Sequence, residues 1–219
     1  GAGSPTPRRL TTDGSCSSPL LSPDGRLLAY ACGKSGGGAD VYVMPSDGGR
    51  ACRLTFLGDA KALAWARDGA HVVFASACHA TRSPGEVSLF VVGVVGERTG
   101  VVTPLKSGPA DAISLASGPL SSLAGGAGST LSSLAPCVLG RHTREARPWR
   151  QYGGGRVGEL WICRAAGERF VPLAPKPAGA ATAPALSAGS PVWLGDRVYF
   201  IAEASALVAG ADGAREGAS

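Results

Sequence analysis

Three groups of residues in this 219-residue chain carry side chains capable of chemistry. The first, Gly33-Lys34-Ser35-Gly36-Gly37, has the Gly-x-Ser-x-Gly spacing of a nucleophile elbow, in which a sharp strand-to-helix turn lifts a serine out of a sheet. The residues that follow, Ala39-Asp40-Val41-Tyr42-Val43, read as a strand, so a flexible glycine hairpin is expected and no catalytic residue is assigned. The same stretch makes no phosphate loop, because position 28 is Leu28 where a glycine is needed and no helix N-terminus follows.

The second group is His71, His79 and His142. None has a His or carboxylate at ligand spacing, and adjacent Cys78 and His79 rarely reach one metal, so turn or surface histidines are expected and no metal is assigned. Spacing neither builds nor excludes a Ser-His-Asp triad, which is a spatial arrangement, and nothing in the chain favours one. The third group is Arg147-Pro148-Trp149-Arg150-Gln151-Tyr152-Gly153-Gly154-Gly155-Arg156, with Arg141 shortly before it. Its arginines, with Arg141, Arg150 and Arg156 as the candidate contacts, suit peptide carboxylates or the acidic surface of a neighbouring subunit. Its glycines allow close backbone approach, and Trp149 and Trp161 suit packing between sheets.

The elements that must position these residues repeat along the chain. Ser22-Pro23-Asp24-Gly25 and Ala66-Arg67-Asp68-Gly69 are tight-turn signals 44 residues apart, each feeding an apolar strand. A third copy, Trp193 to Phe200, has Gly195-Asp196 in reversed order. In each copy an aromatic, Tyr30, Phe74 or Phe200, stands five residues after the glycine. A second signature puts an aromatic between aliphatics in Asp40-Val41-Tyr42-Val43, Ser88-Leu89-Phe90-Val91 and Glu159-Leu160-Trp161-Ile162. Closing strands are expected to end at Arg53-Leu54-Thr55, Thr103-Pro104-Leu105 and Val171-Pro172-Leu173. Helix signals are nearly absent, and Ala60 to Ala66 is read as a strand. Ser107 to Ala135 is expected to hold one weak inner strand and a long mobile loop.

The expected fold class is therefore all-β: a partial β-propeller of about three to four blades, each a four-stranded antiparallel sheet. The expected divisions are an incomplete N-terminal segment over 1–16, blades over 17–55, 56–105 and 106–174, a fourth from 189–203 onward, and a degenerate tail over 204–219. Both ends read as cuts, and half a ring leaves blade faces and sheet edges unpaired.

Composition narrows the partners. The net charge of +5 and pI near 9.1 come from scattered Lys and Arg, with no basic run interleaved with aromatics, so no nucleic acid is expected. No stretch reaches the ~18 apolar residues of a membrane helix, and no signal peptide is read at the N-terminus, so no membrane is expected. The six cysteines lie far apart without Cys-x-x-Cys pairs, so free, mostly buried thiols in a reducing compartment are expected. No cofactor is expected.

The first two repeats resemble the Ser-Pro-Asp-Gly propeller repeat of TolB-type proteins, prolyl-oligopeptidase relatives and tricorn proteases. Gly140-Arg141-His142-Thr143, then Trp149-x-x-Tyr152-x-Gly154-Gly155-x-x-Gly158-x-Leu160-Trp161-Ile162, then Ser190-Pro191-Val192-Trp193-Leu194-Gly195-Asp196-Arg197-Val198-Tyr199-Phe200-Ile201 resemble the third-to-fourth-blade region of the N-terminal six-bladed propeller of tricorn proteases. That resemblance implies a piece of a six-bladed ring standing ahead of a second propeller, a PDZ-like module and a serine-peptidase core. It implies a cytoplasmic homo-oligomer that shortens peptides released by the proteasome, the propeller serving as gate and scaffold, with peptides as partners and catalytic groups beyond Ser219. The family also carries an adjacent arginine pair, associated with a peptide's C-terminal carboxylate, in the loop after its first full blade. The corresponding Phe56-Leu57-Gly58-Asp59-Ala60-Lys61 has one cation, so this anchor is not carried over. The alternative is a stand-alone TolB-like propeller that binds proteins without peptidase activity.

Overall fold

A computed structural model of the chain describes residues 6–12, 15–33, 38–78, 86–116, 134–143, 158–165, 168–173 and 187–203. They form fourteen strands: β1 (Ser15–Leu21), β2 (Leu27–Gly33), β3 (Ala39–Pro45), β4 (Cys52–Arg53), β5 (Lys61–Trp65), β6 (His71–Ser76), β7 (Ser88–Gly93), β8 (Val102–Pro109), β9 (Ala112–Leu115), β10 (Cys137–Arg141), β11 (Glu159–Cys163), β12 (Val171–Pro172), β13 (Ser187–Leu194) and β14 (Arg197–Glu203). A 3-10 turn stands at Gly96–Arg98.

The strands pair in sequence order into three four-stranded antiparallel sheets, β1 to β4, β5 to β8 and β9 to β12, followed by the hairpin β13–β14. This is a partial, unclosed β-propeller. The three repeated turns are the hairpins β1–β2, β5–β6 and β13–β14, and their glycines, Gly25, Gly69 and Gly195, have φ of 72°, 64° and 61°, a region that glycine enters without Cβ strain. In the first turn Ser22 Oγ donates to Asp24 Oδ1 at 2.6 Å and accepts from Leu27 N at 2.9 Å. In the second, Asp68 Oδ1 accepts from Ala70 N at 2.8 Å.

The two aromatic signatures meet across strands. Tyr30 lies opposite Tyr42, and Phe74 opposite Phe90, with ring centroids 5.8 Å and 5.4 Å apart in stacked pairs. In the third sheet Leu139 takes the first position, opposite Trp161. The sets of the second and third sheets face the preceding sheet. Phe74, Phe90, Val72 and Val92 share a buried cluster with Val41, Val43 and Leu54 of the first sheet, and Trp161 and Leu139 pack against Val73, Leu89 and Val91 of the second.

Successive sheets are also joined by hydrogen bonds along their inner edge, where β1, β5, β9 and β13 lie side by side. Trp65 Nε1 donates to Leu20 O at 2.8 Å, and Trp193 N donates to Ser114 Oγ at 2.8 Å. Arg67, from the second turn, reaches three carbonyls of the third sheet and its approach: Ala116 O at 2.8 Å, Ala135 O at 3.0 Å and Pro136 O at 2.7 Å. β9 is the inner strand expected between Ser107 and Ala135; the long loop expected there falls at 117–133, outside the described residues.

The cysteine expectation is corrected. Antiparallel pairing of β1 and β2 sets Cys16 directly opposite Cys32, and the two form a disulfide, although sixteen residues of sequence separate them. Of the four free thiols, Cys137 and Cys163 are buried but Cys52 and Cys78 are exposed, so the free cysteines are not mostly buried. The register that brings residues together across a hairpin is invisible in cysteine spacing alone.

Candidate peptide-contact site

Of the three candidate contacts, the structure places Arg141; Arg150 and Arg156 lie outside the described residues, as does Trp149. Arg141 ends β10 opposite Glu159, which opens β11. Its guanidinium lies over the ring of Trp161, the diagonal cross-strand neighbour, 4.4 Å from the ring centroid. Its Nη2 donates to Ser107 O of β8 at 3.0 Å, tying the third sheet to the second. Its Nε is buried and has no hydrogen-bond partner among the described residues. The cation is thus stacked on Trp161 and tied to Ser107, with its Nε enclosed by the protein.

The residues beside Arg141 fix its place. After β10 the chain turns through His142, at φ 52°, so that Thr143 folds back onto Gly140. A Cβ at Gly140 would stand 2.6 Å from Thr143 Cγ2 and 2.9 Å from Ala112 Cβ, which is why this position has no side chain. Thr143 Oγ1 donates to the buried carboxylate of Asp111 at 2.7 Å, and Gly189 of the fourth hairpin lies close against Thr143. Gly140-Arg141-His142-Thr143 is therefore a joint that touches three successive sheets.

The other sequence candidates are not drawn into this site. Residues 34–37, including Ser35, lie outside the described residues, but Gly33 and Ala39 on either side are paired partners of β2 and β3, so the glycine run connects two strands and no helix follows it. His71 corrects the expectation that no carboxylate stands at ligand spacing. Its Nδ1 lies 2.6 Å from Asp68 Oδ2, three residues earlier, because the Asp-Gly turn folds that carboxylate back over the strand start. His79 lies outside the described residues. Among the described residues no three His, Cys, Asp or Glu side chains converge as a metal site, and no helix is long and apolar enough to cross a membrane.

The buried hub of the first sheet went unread in the sequence. Asp40 accepts Arg53 Nη2 at 2.5 Å on one oxygen, and Thr55 Oγ1 at 2.8 Å, Leu57 N at 2.7 Å and Gly58 N at 3.3 Å on the other. Burial pushes this carboxyl up, but the donors from Leu57, Thr55, Gly58 and Arg53 together hold it below the usual aspartate range. The hub fixes the start of the loop Phe56 to Lys61, and Arg53 covers the exposed ring of Phe56 at 4.4 Å. Lys61, the cation of that loop, is the exposed first residue of β5. A polar residue heads each aromatic strand signature, Asp40, Ser88 and Glu159, which was the one available signal.

The model of the tricorn protease N-terminal beta propeller domain matches residues 2–209. The chain belongs to that family. It is 33% identical over 187 residues to Tricorn protease homolog 1 of Streptomyces coelicolor, an alignment covering 84% of this chain and 15% of that protein. The family's chain therefore spans a small part of the length of this relative. A crystal structure of the tricorn protease superposes with a TM-score of 0.62 at 24% identity, over 89% of this chain and 17% of that one. A TolB from Agrobacterium tumefaciens superposes with a TM-score of 0.61 at 18% identity, over 94% of this chain and 62% of that one. At these identities the two structures speak for the propeller fold of this family member.

Proposed function

We propose that this chain is the non-catalytic N-terminal propeller portion of a tricorn-like serine peptidase, acting as a gate for peptide substrates or products and as a scaffold for self-association. The observation that carries this reading is the family match over residues 2–209. In this reading its blades are those expected from the sequence, about three to four of a six-bladed ring. Arg141, Arg150 and Arg156 contact a peptide carboxylate or a neighbouring subunit. The substrates would be peptides left by the proteasome, in the cytoplasm.

The test uses the full-length parent protein. Arg141→Ala in that protein is expected to raise KM for peptides with a free C-terminal carboxylate and to leave C-terminally amidated peptides unaffected. Equal effects on both would sink the carboxylate role. The isolated chain, offered a fluorogenic peptide panel, is expected to release no product, and turnover abolished by Ser35→Ala would overturn its non-catalytic assignment. Alkylation trapping of cell extracts checks the compartment: a Cys16–Cys32 bond retained in the cell would count against cytoplasmic residence. The second reading, a stand-alone TolB-like propeller for protein binding, draws on the superposition that covers 94% of this chain. A stop codon after a closed ring, with no peptidase core downstream, would decide for it.

A further inference from the structure

We propose that the Cys16–Cys32 disulfide is a redox-controlled pin that holds residues 6–12 as a strap over an apolar face of the first sheet. Reduction of the bond frees the start of β1 and lets the strap lift. The strap and the pin belong to one cluster. Residues 6–12 form no strand, and they grip the sheet through Leu10, which packs with Cys16 on Tyr30, Cys32 and Met44 beside Leu28 and Tyr42. At the β3–β4 turn, a Cβ on Gly48 would stand 3.1 Å from Arg8 Nη2 and 3.5 Å from Leu10 Cδ2, so the strap lies close against bare backbone there. Arg9 Nη2 donates to Thr12 O at 2.9 Å and folds the strap on itself. One leucine is a modest hold, so the position of the strap depends on how firmly its root is fixed.

That root is weak without the bond. Before its bulge β1 has three paired residues, Ser15, Cys16 and Ser17, opposite Gly33, Cys32 and Ala31. Pairing breaks at Ser18, whose φ is 53°, and at Pro19, which has no N–H to give, and it resumes at Leu20. The hydrogen bond that ties β1 to the second sheet, Trp65 Nε1 to Leu20 O, also lies beyond the bulge. Three residues between a bulge and a loop open readily. A covalent bond at the middle one joins positions sixteen residues apart and removes most of that freedom.

Access decides which cysteines can exchange. Two pairs stand directly opposite each other across antiparallel strands, Cys16 with Cys32 and Cys137 with Cys163. The second pair is sealed in the core at 0% exposure, and both members are thiols. In the first pair Cys32 is 6% exposed, but Cys16 is only partly buried, on a strand whose alternate residues meet solvent. A dithiol reductant therefore reaches Cys16 Sγ. Its thiolate attacks that sulfur, and Cys32 leaves as a thiolate that takes up a proton. The reductant's second thiol then displaces Cys16 from the mixed disulfide, and Cys16 takes up a proton in turn. Two electrons pass to the protein and the dithiol becomes a cyclic disulfide; a disulfide oxidant runs the same steps backward.

The test compares the purified full chain with and without dithiothreitol. Amide exchange, read by mass spectrometry, is expected to speed up more than about tenfold on reduction in peptides covering Ser15–Ser17, while β6 and β7 keep their rates. Hydroxyl-radical footprinting of Tyr30 and Met44 should rise at least about threefold over the same change. The double variant Cys16→Ala, Cys32→Ala should behave as the reduced chain and ignore dithiothreitol. Leu10→Ser in the oxidised chain should raise the footprint while exchange at Ser15–Ser17 stays slow, which separates the strap from the pin. The reduction and cysteine-variant arms stand even where Leu10→Ser fails to fold. The proposal is overturned by equal exchange at Ser15–Ser17 in both redox states, or by a footprint on Tyr30 and Met44 that ignores reduction. Acceleration of β6 and β7 to the same extent would also overturn it, by making the bond a staple of the whole fold. None of these outcomes depends on a peptidase core elsewhere in the parent protein.

Discussion

Replacing Asp40 with asparagine isolates the carboxylate at the centre of the first sheet's hub. The amide keeps an oxygen for Thr55, Leu57 and Gly58, but it turns an NH2 group toward Arg53 Nη2, which stands 2.5 Å from the native oxygen. Donor then faces donor, and the remaining bonds lose their charge assistance. Hydrogen bonds to a charged partner contribute about 1.5–3 kcal/mol each, and Asp40 is almost wholly buried, so a loss of about 2–3 kcal/mol is expected for Asp40→Asn near neutral pH. With a urea slope of roughly 2–3 kcal/mol per molar, the unfolding midpoint should fall by about 1 M. The pH dependence gives the sign. Because Asp40 is held below its unfolded value, its contribution is fully present above about pH 4 and is lost as pH falls through the folded-state value. The gap between urea curves for the two proteins, followed by tryptophan fluorescence from pH 7 down to pH 3, should therefore narrow toward the acid end. A gap that stays constant over that range would refute the carboxylate account, and a gap below about 0.5 kcal/mol at pH 7 would refute the hub itself.

Arg67→Ala should destabilise the chain by about 2–4 kcal/mol, because three carbonyls between the second and third sheets lose their donor, and urea unfolding measures it. Iodoacetamide applied to the native chain at pH 8 should label Cys52 and Cys78 alone, as read by mass spectrometry. Burial and the neighbouring Cys163 thiol push Cys137 up to about 12 against the opposing pull of the Arg67 guanidinium, and burial also raises Cys163, so labelling of either one in the folded state would contradict the packing. The open face at the fourth hairpin, where Val192, Leu194, Tyr199 and Ile201 are exposed, should make the isolated chain marginal or aggregation-prone. A sharp, reversible, monomeric melt in analytical ultracentrifugation and calorimetry would count against it.

The fold was largely legible because its determinants are local. Asp24-Gly25 and Asp68-Gly69 fix their turns through backbone conformation and short-range hydrogen bonds, and the spacing from glycine to aromatic fixes the strand that follows. Apolar alternation then sets which face is buried. The site was less legible because its geometry is built across strands and across sheets. Nothing near Arg67 in sequence marks it as reaching residues 116, 135 and 136, and nothing near Cys16 marks Cys32 as its partner. Arg141 could be named as a cation, but its stacking on Trp161 and its tie to Ser107 follow from the register of β10 with β11 and from the contact of β10 with β8. Asp40 looked like the polar start of a strand, and only the return of the chain at Leu57 and Gly58 makes it a buried acceptor.

The facing of the second and third sheets' aromatic sets toward the preceding sheet gives assembly a direction. Phe74 and Phe90 are buried by Val41 and Val43, and Trp161 packs on Val73 and Val91, so the apolar surface that each sheet must cover is matched by residues already synthesised. A nascent chain leaving the ribosome can therefore dock each blade as it emerges, the surface that its aromatic pair covers being already made. On the first sheet Tyr30 and Tyr42 pack with Leu10, which also lies upstream of them. Growth of this kind adds one blade to the last, like a fan unfolding one slat at a time.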